Sequence, residues 1–81
     1  MKNCLLLENL EKVHTTELGV DRLKKNLNID VDDVVLWCKE KIKKEDSVIF
    51  RKGKNWYVKV DDVQICINAS SYTIITAHKL N

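Results

Sequence analysis

Between Ser47 and Lys79 the chain passes through four short segments of alternating character with almost nothing between them. They are SVIFRK (47–52), NWYVKV (55–60), VQICIN (63–68) and YTIITAHK (72–79), and the gaps are Gly53-Lys54, Asp61-Asp62 and Ala69-Ser70-Ser71. Parallel strands need a long crossover, commonly a helix, to bring the chain back to the same end of the sheet. Gaps this short allow only antiparallel hairpins. The pattern therefore dictates a meander, in which each strand pairs with the next.

Before residue 46 the period is that of a helix. Residues 3–13 read as a first helix, with Asn3 as its cap and Leu6, Leu10 and Val13 on one face. Residues 16–27 read as a second, with Val20, Leu23 and Leu27 as its stripe and Thr15 or Thr16 as its N-cap. Residues 31–44 read as a third. Asp30 is its expected cap, with Ile29 and Val34 spaced as a hydrophobic staple, and its stripe is Val31, Val34, Val35, Cys38 and Ile42. Asp32 and Asp33 suit the positive end of that helix, and Lys41, Lys43 and Lys44 the negative end. Leu36 and Trp37 fall off its stripe, so this helix has a second apolar side. The expectation is an α+β fold: three N-terminal helices followed by a four-stranded antiparallel meander sheet, covered by helices on one face and forming a single domain over residues 1–81.

The composition narrows the function classes. Apolar runs reach only four to six residues, too short to span a bilayer. Glu8 and Glu11 follow the first Leu run too soon for an export signal, so the chain is expected to be cytoplasmic and its three cysteines reduced. Cys4, Cys38 and Cys66 form no CxxC pair, so they read as small core residues, and no metal or cofactor is assigned. Walker, GxGxxG and GxSxG motifs are all missing. The net charge is only +2, but eight basic residues against three acidic ones lie between Lys39 and Lys59.

Three polar groups are candidates for chemistry. His14, Thr15 and Thr16 lie between the first two helices, where free backbone N–H groups favour an anion, with Arg22 and Lys25 as flanking cations. The same residues also read simply as a Thr cap at a corner, with Glu17 complementing the helix end. Strict alternation on the last strand places Tyr72, Ile74, Thr76 and His78 on one face and Thr73, Ile75, Ala77 and Lys79 on the other, with Asn68, Ser70 and Ser71 at the turn before it. This row is either an ordinary solvated face or a substrate-binding one. The first hairpin gathers Arg51, Lys52, Lys54 and Lys59 around Trp56 and Tyr57, a mixture suited to phosphate contact and base stacking. Trp56 alternates with Val58 and Val60, which points it into the core instead, and charges on an edge hairpin also serve to block strand pairing.

Two imidazoles and a cation are the smallest kit for RNA cleavage without metal, since an ordinary imidazole changes protonation near neutral pH. On that reading His14 and His78 are the acid and base and Arg22 or Lys25 holds the phosphate.

The segments HTTELG and RLKKNL, VVLWCKEKI, RKGKNWYVKVDD and INASSYTIITAHK resemble a family of short bacterial proteins of unknown function found in clostridia and related Firmicutes. The order of elements is also similar to the barnase, RelE-like and colicin-type ribonucleases. That likeness implies site residues on the exposed sheet face and a preceding helix: His14, Arg22, Lys25, Asn68, Ser70, Thr73, Thr76 and His78. Two functions follow as expectations. One is a domain acting on RNA as a metal-independent endoribonuclease, with His14, His78 and Thr76 catalytic and Thr15, Thr16, Arg22, Lys25, Asn68, Ser70 and Thr73 binding substrate. The other is a non-catalytic module or inhibitor that holds a protein or nucleic acid on the same sheet face or on the basic hairpin. A third possibility is an oligomer joined through Leu36 and Trp37.

Overall fold

The computed structural model describes residues 5–80. Its elements are helix α1 (Leu5–Glu8), a 3-10 turn (Leu10–Lys12), helices α2 (Glu17–Leu27) and α3 (Val34–Lys43), and strands β1 (Val48–Lys52), β2 (Asn55–Val60), β3 (Val63–Asn68) and β4 (Ile74–Lys79). The strands form one sheet in the order β1-β2-β3-β4, every pair antiparallel. The helices precede the sheet, in the expected α+β arrangement.

The first helix ends at Glu8, five residues before the end that its leucine spacing predicts. Asn9 Nδ2 donates to the Leu5 carbonyl at 2.9 Å, and Asn9 leaves the helical region. A side chain that bonds the backbone competes with continued helix at that position. Val13 is then extended, and the His14 N–H donates to the Tyr72 carbonyl while the Ile74 N–H donates to the His14 carbonyl. Residues 13–15 thus run beside the start of β4, where His14 and Thr73 form a parallel bridge. The expected Asn3 cap lies outside the described residues.

α2 begins as expected, with Thr16 Oγ1 accepting the Gly19 N–H at 3.0 Å. It ends at Asn28, which adopts the left-handed conformation at φ 54° that Asn tolerates, while the Ile29 N–H bonds back to Lys24. α3 starts three residues later than expected: the cap is Asp33, not Asp30, and its Oδ1 accepts the Leu36 N–H at 3.0 Å. Several cap-competent Asp residues precede this helix. The outermost is bypassed because Ile29 and Val31 pack against the core from non-helical backbone before Asp33.

The hairpins follow the expected turns. Gly53 has φ 62°, and Asp61 and Asp62 are both left-handed, at 49° and 64°. Paired positive φ values match the twist of a two-residue hairpin. Lys41 of α3 and Lys44, the residue that caps its end, both bond Asp61 Oδ2, fastening that turn to the helix. Ser47 is buried rather than part of β1, and its hydroxyl donates to the Ile42 carbonyl at 2.9 Å.

Register places Ile49, Val58, Ile65 and Ala77 in one row under the helices, and Trp56, Ile67 and Ile74 in the next. Val58, Ile65, Ile67, Ala77 and Ile74 are buried against Leu23, Leu27, Val34, Cys38 and Ile42. Trp56 is core, as its alternation with Val58 and Val60 implies.

The last strand corrects the expected alternation. Cys66 pairs with Thr76 but Ile67 pairs with Ile74, so Ile75 is an extra, unpaired residue. Such a bulge reverses the facing of every residue beyond it. Tyr72 is left-handed at φ 61° and lies in the turn rather than the strand, with its ring 5.3 Å from that of Trp56. Tyr72 and Ile74 therefore lie on the core side with Ala77, while Thr73, Thr76 and His78 share the opposite face.

Candidate functional site

Helices cover one face of the sheet, and no described element covers the other. The register fixes what that open face carries. Across its first row stand Val48, Lys59, Gln64 and His78, and across the next Phe50, Tyr57, Cys66 and Thr76. Lys52, Asn55 and Asn68 begin a third, which Thr73 and His14 continue beyond β3. None of these residues is an Asp or Glu.

At the β1–β2 side the Phe50 and Tyr57 rings stack, with centroids 5.4 Å apart and planes 18° apart. The ammonium of Lys59 stands 5.8 Å from the Phe50 ring centre. Phe50, Lys52, Tyr57, Lys59 and Gln64 line a shallow cleft of about 210 Å³. Phe50 remains 39% exposed, high for an aromatic ring on a sheet, and its neighbour Val48 is 58% exposed. Cys66 lies under this surface. Burial pushes its thiol up, and a hydrogen bond with Tyr57 partly offsets the shift.

At the opposite end, beyond β3, a chain of polar groups closes the face. His14 Nδ1 lies 2.8 Å from the Lys12 carbonyl, so Nδ1 carries the hydrogen. In the neutral ring Nε2 then accepts from the Thr73 hydroxyl, 3.2 Å away. Thr73 Oγ1 is 2.8 Å from Ser71 Oγ, and Ser71 Oγ is 3.2 Å from Asn68 Oδ1. Asn68 Oδ1 also accepts the Ser70 and Ser71 N–H groups at 3.0 and 2.9 Å, which ties the turn.

The structure brings together His14, Asn68, Ser70 and Thr73 and sets Thr76 and His78 on the same face. It does not bring His14 to His78. His14 is bonded to Thr73, and His78 is five residues further along β4, about 15 Å away at the usual rise of a strand. Thr16 is occupied as a helix cap, and the Thr15 hydroxyl donates to the Ile74 carbonyl at 3.3 Å. Arg22 and Lys25 lie on the outward side of α2, opposite buried Leu23 and Leu27, and join neither group. Glu17 stands in the first turn of α2, beside the helix end that an anion would have to approach.

Phe50 is a member of this open face that the alternation of SVIFRK does not reveal, because Val48, Ile49 and Phe50 form an unbroken apolar run. The signal was nevertheless available. A two-residue turn at Gly53-Lys54 pairs Lys52 with Asn55, and counting back sets Phe50 opposite Tyr57.

Among the described residues no three His, Cys, Asp or Glu side chains are grouped as a metal ion would require. No helix among them is long and apolar enough to cross a membrane. A family model described as "Protein of unknown function (DUF3781)" matches residues 7–78, nearly the whole chain, and the protein belongs to that family. No curated protein and no solved structure matches it.

Proposed function

We propose that this member of the DUF3781 family binds single-stranded RNA on the open face of its sheet, without cleaving it. The observation that carries the reading is the stack of exposed Phe50 on half-buried Tyr57 between Lys52 and Lys59, on a face with no carboxylate. Bases splayed from a single strand stack on such rings, and lysines beside them neutralise the backbone. Thr73, Asn68 and Ser70 at the far end offer hydroxyl and amide groups for base edges or 2′-hydroxyls. The separation of His14 and His78 weighs against cleavage, because an acid and a base must both reach one scissile phosphate directly or through one water. In this reading the two histidines bracket the strand instead of sharing a phosphate.

The test is fluorescence anisotropy with labelled RNA octamers, single-stranded and duplex. Single strands should bind and duplexes should not. Tyr57→Ala and Phe50→Ala should each weaken binding about 5- to 150-fold, the loss that one base stack carries. Equal affinity for duplex, or no effect of either substitution, would sink the proposal. Release of labelled fragments that stops with His78→Ala would restore the nuclease reading in its place.

A further inference from the structure

On the outer side of the helix layer, away from the sheet, two surfaces complement each other but cannot meet within one chain. The first is on α2. Leu18, Arg22 and Lys25 recur at i, i+4 and i+7, opposite buried Leu23 and Leu27, and Leu18 is 71% exposed. Neither Arg22 nor Lys25 forms an ion pair among the described residues. The second is on α3 and the segment before it, where Val31, Asp32, Asp33, Leu36, Trp37 and Glu40 line a cleft of about 310 Å³. Leu36 is 50% exposed, and neither Asp32 nor Glu40 has a cationic partner there.

One surface offers a bare leucine followed by two cations, and the other an apolar cleft rimmed by carboxylates. Both belong to neighbouring helices of one layer. From this we infer that two copies of the chain dock helix layer to helix layer around a two-fold axis. Leu18 of each copy enters the cleft beside Leu36 and Trp37 of the other, and Arg22 and Lys25 lie over Asp32 and Glu40. A two-fold axis makes the contact twice, closes the assembly and leaves no unmatched surface to propagate. Both open sheet faces then point outward, so the dimer does not depend on the RNA-binding reading and does not obstruct it.

The experiment is sedimentation velocity of the full chain across a concentration series in low salt. The wild type should pass from one chain to two as concentration rises, and Leu18→Asp should stay a monomer with an unchanged circular dichroism spectrum. The decisive arm uses two charge-reversed variants, Arg22→Glu with Lys25→Glu, and Asp32→Lys with Glu40→Lys. Each alone should dimerise at least about tenfold more weakly than wild type, because like charges then face one another across both contacts. Mixed together they should form a heterodimer tighter than either homodimer, since each reversed surface then meets its opposite. A wild type that stays monomeric, or a mixture no tighter than its components, overturns the inference.

Discussion

Replacing Gly19 by Ala tests how tightly the corner that carries His14 is built. In a bare helix this substitution stabilises by about 1 kcal/mol, because Gly is the poorer helix former. Here an added Cβ would lie 2.1 Å from Thr15 Oγ1, 3.3 Å from Thr15 Cβ and 3.2 Å from Thr16 Oγ1. The first distance is far inside contact, so Thr15 must rotate. Thr is branched at Cβ and has few places to go. Its hydroxyl now bonds the Ile74 carbonyl, and that bond, worth about 0.5–1.5 kcal/mol, is lost. The Thr16 oxygen that caps α2 is crowded too, and a cap is worth about 1 kcal/mol. With overpacking costs of about 1–3 kcal/mol, the penalty exceeds the helical gain. The expected net loss is about 1–2 kcal/mol, a fall in melting temperature of about 4–16 °C for a domain of this size. Thermal unfolding followed by circular dichroism reads it. The control is Thr15→Ala, which removes the clashing oxygen: Gly19→Ala made in that background should be neutral or stabilising. If Gly19→Ala raises the melting temperature of the wild type by itself, the close approach of Thr15 to α2 is wrong, and so is the placement of His14 that depends on it.

The remaining predictions concern stability and reactivity. Ile65→Ala should cost about 2–5 kcal/mol in urea unfolding, because Ile65 is fully buried between Val58 and Ala77 in the central row. Hydrogen bonds from Lys44 and then Lys41 hold the Asp61 carboxyl below the usual carboxylate range. A depressed folded value means stability that is present above the unfolded pKa and lost as pH falls through the folded one. Asp61→Asn keeps a residue that tolerates the left-handed turn, so its melting curves should lose part of the acid-limb slope and differ from wild type more at pH 7 than at pH 2. Burial pushes the Cys38 thiol up to about 12, so iodoacetamide at pH 8 should leave it unmodified until the fold opens, as peptide mass spectrometry would show. Salt titration should show RNA affinity falling with a log–log slope shallower by about 1.4 in the Lys52→Ala, Lys59→Ala double variant, about 0.7 for each phosphate contact removed.

The sheet was legible because its turns leave no freedom. Gly53 and the Asp61-Asp62 pair take positive φ as short hairpins require, and once those turns are set the register of β1, β2 and β3 follows by counting. The helices were legible in kind but not in their ends. An apolar stripe says which side of α3 is buried. It does not say which of three aspartates caps it, since that depends on Ile29 and Val31 reaching the core from outside the helix. At the start of the chain one side-chain bond, from Asn9 to Leu5, outweighs a regular leucine spacing.

The site was legible residue by residue but not as an arrangement, and β4 shows why. Its sequence alternates well enough to be read without interruption, yet Ile75 is a bulge, and the insertion changes which side chains share a face. Without the bulge, Thr73 would lie opposite Thr76 and His78. With it, all three join Asn68 and the aromatic pair on one surface. The histidines follow the same logic. His14 is far from β4 in sequence and reaches it only because residues 13–15 pair with its first residues, an edge contact with no periodic signature. That contact fixes His14 beside Thr73, while the antiparallel register fixes His78 beside Gln64. The two imidazoles are thus set a strand's length apart by backbone pairing rather than by side-chain preference, and no rotamer change could bring them to one phosphate. A face with a polar group at each end and stacked rings toward its β1 edge has the layout of a site for an extended ligand, and it is on that layout that the proposal of RNA binding without cleavage rests.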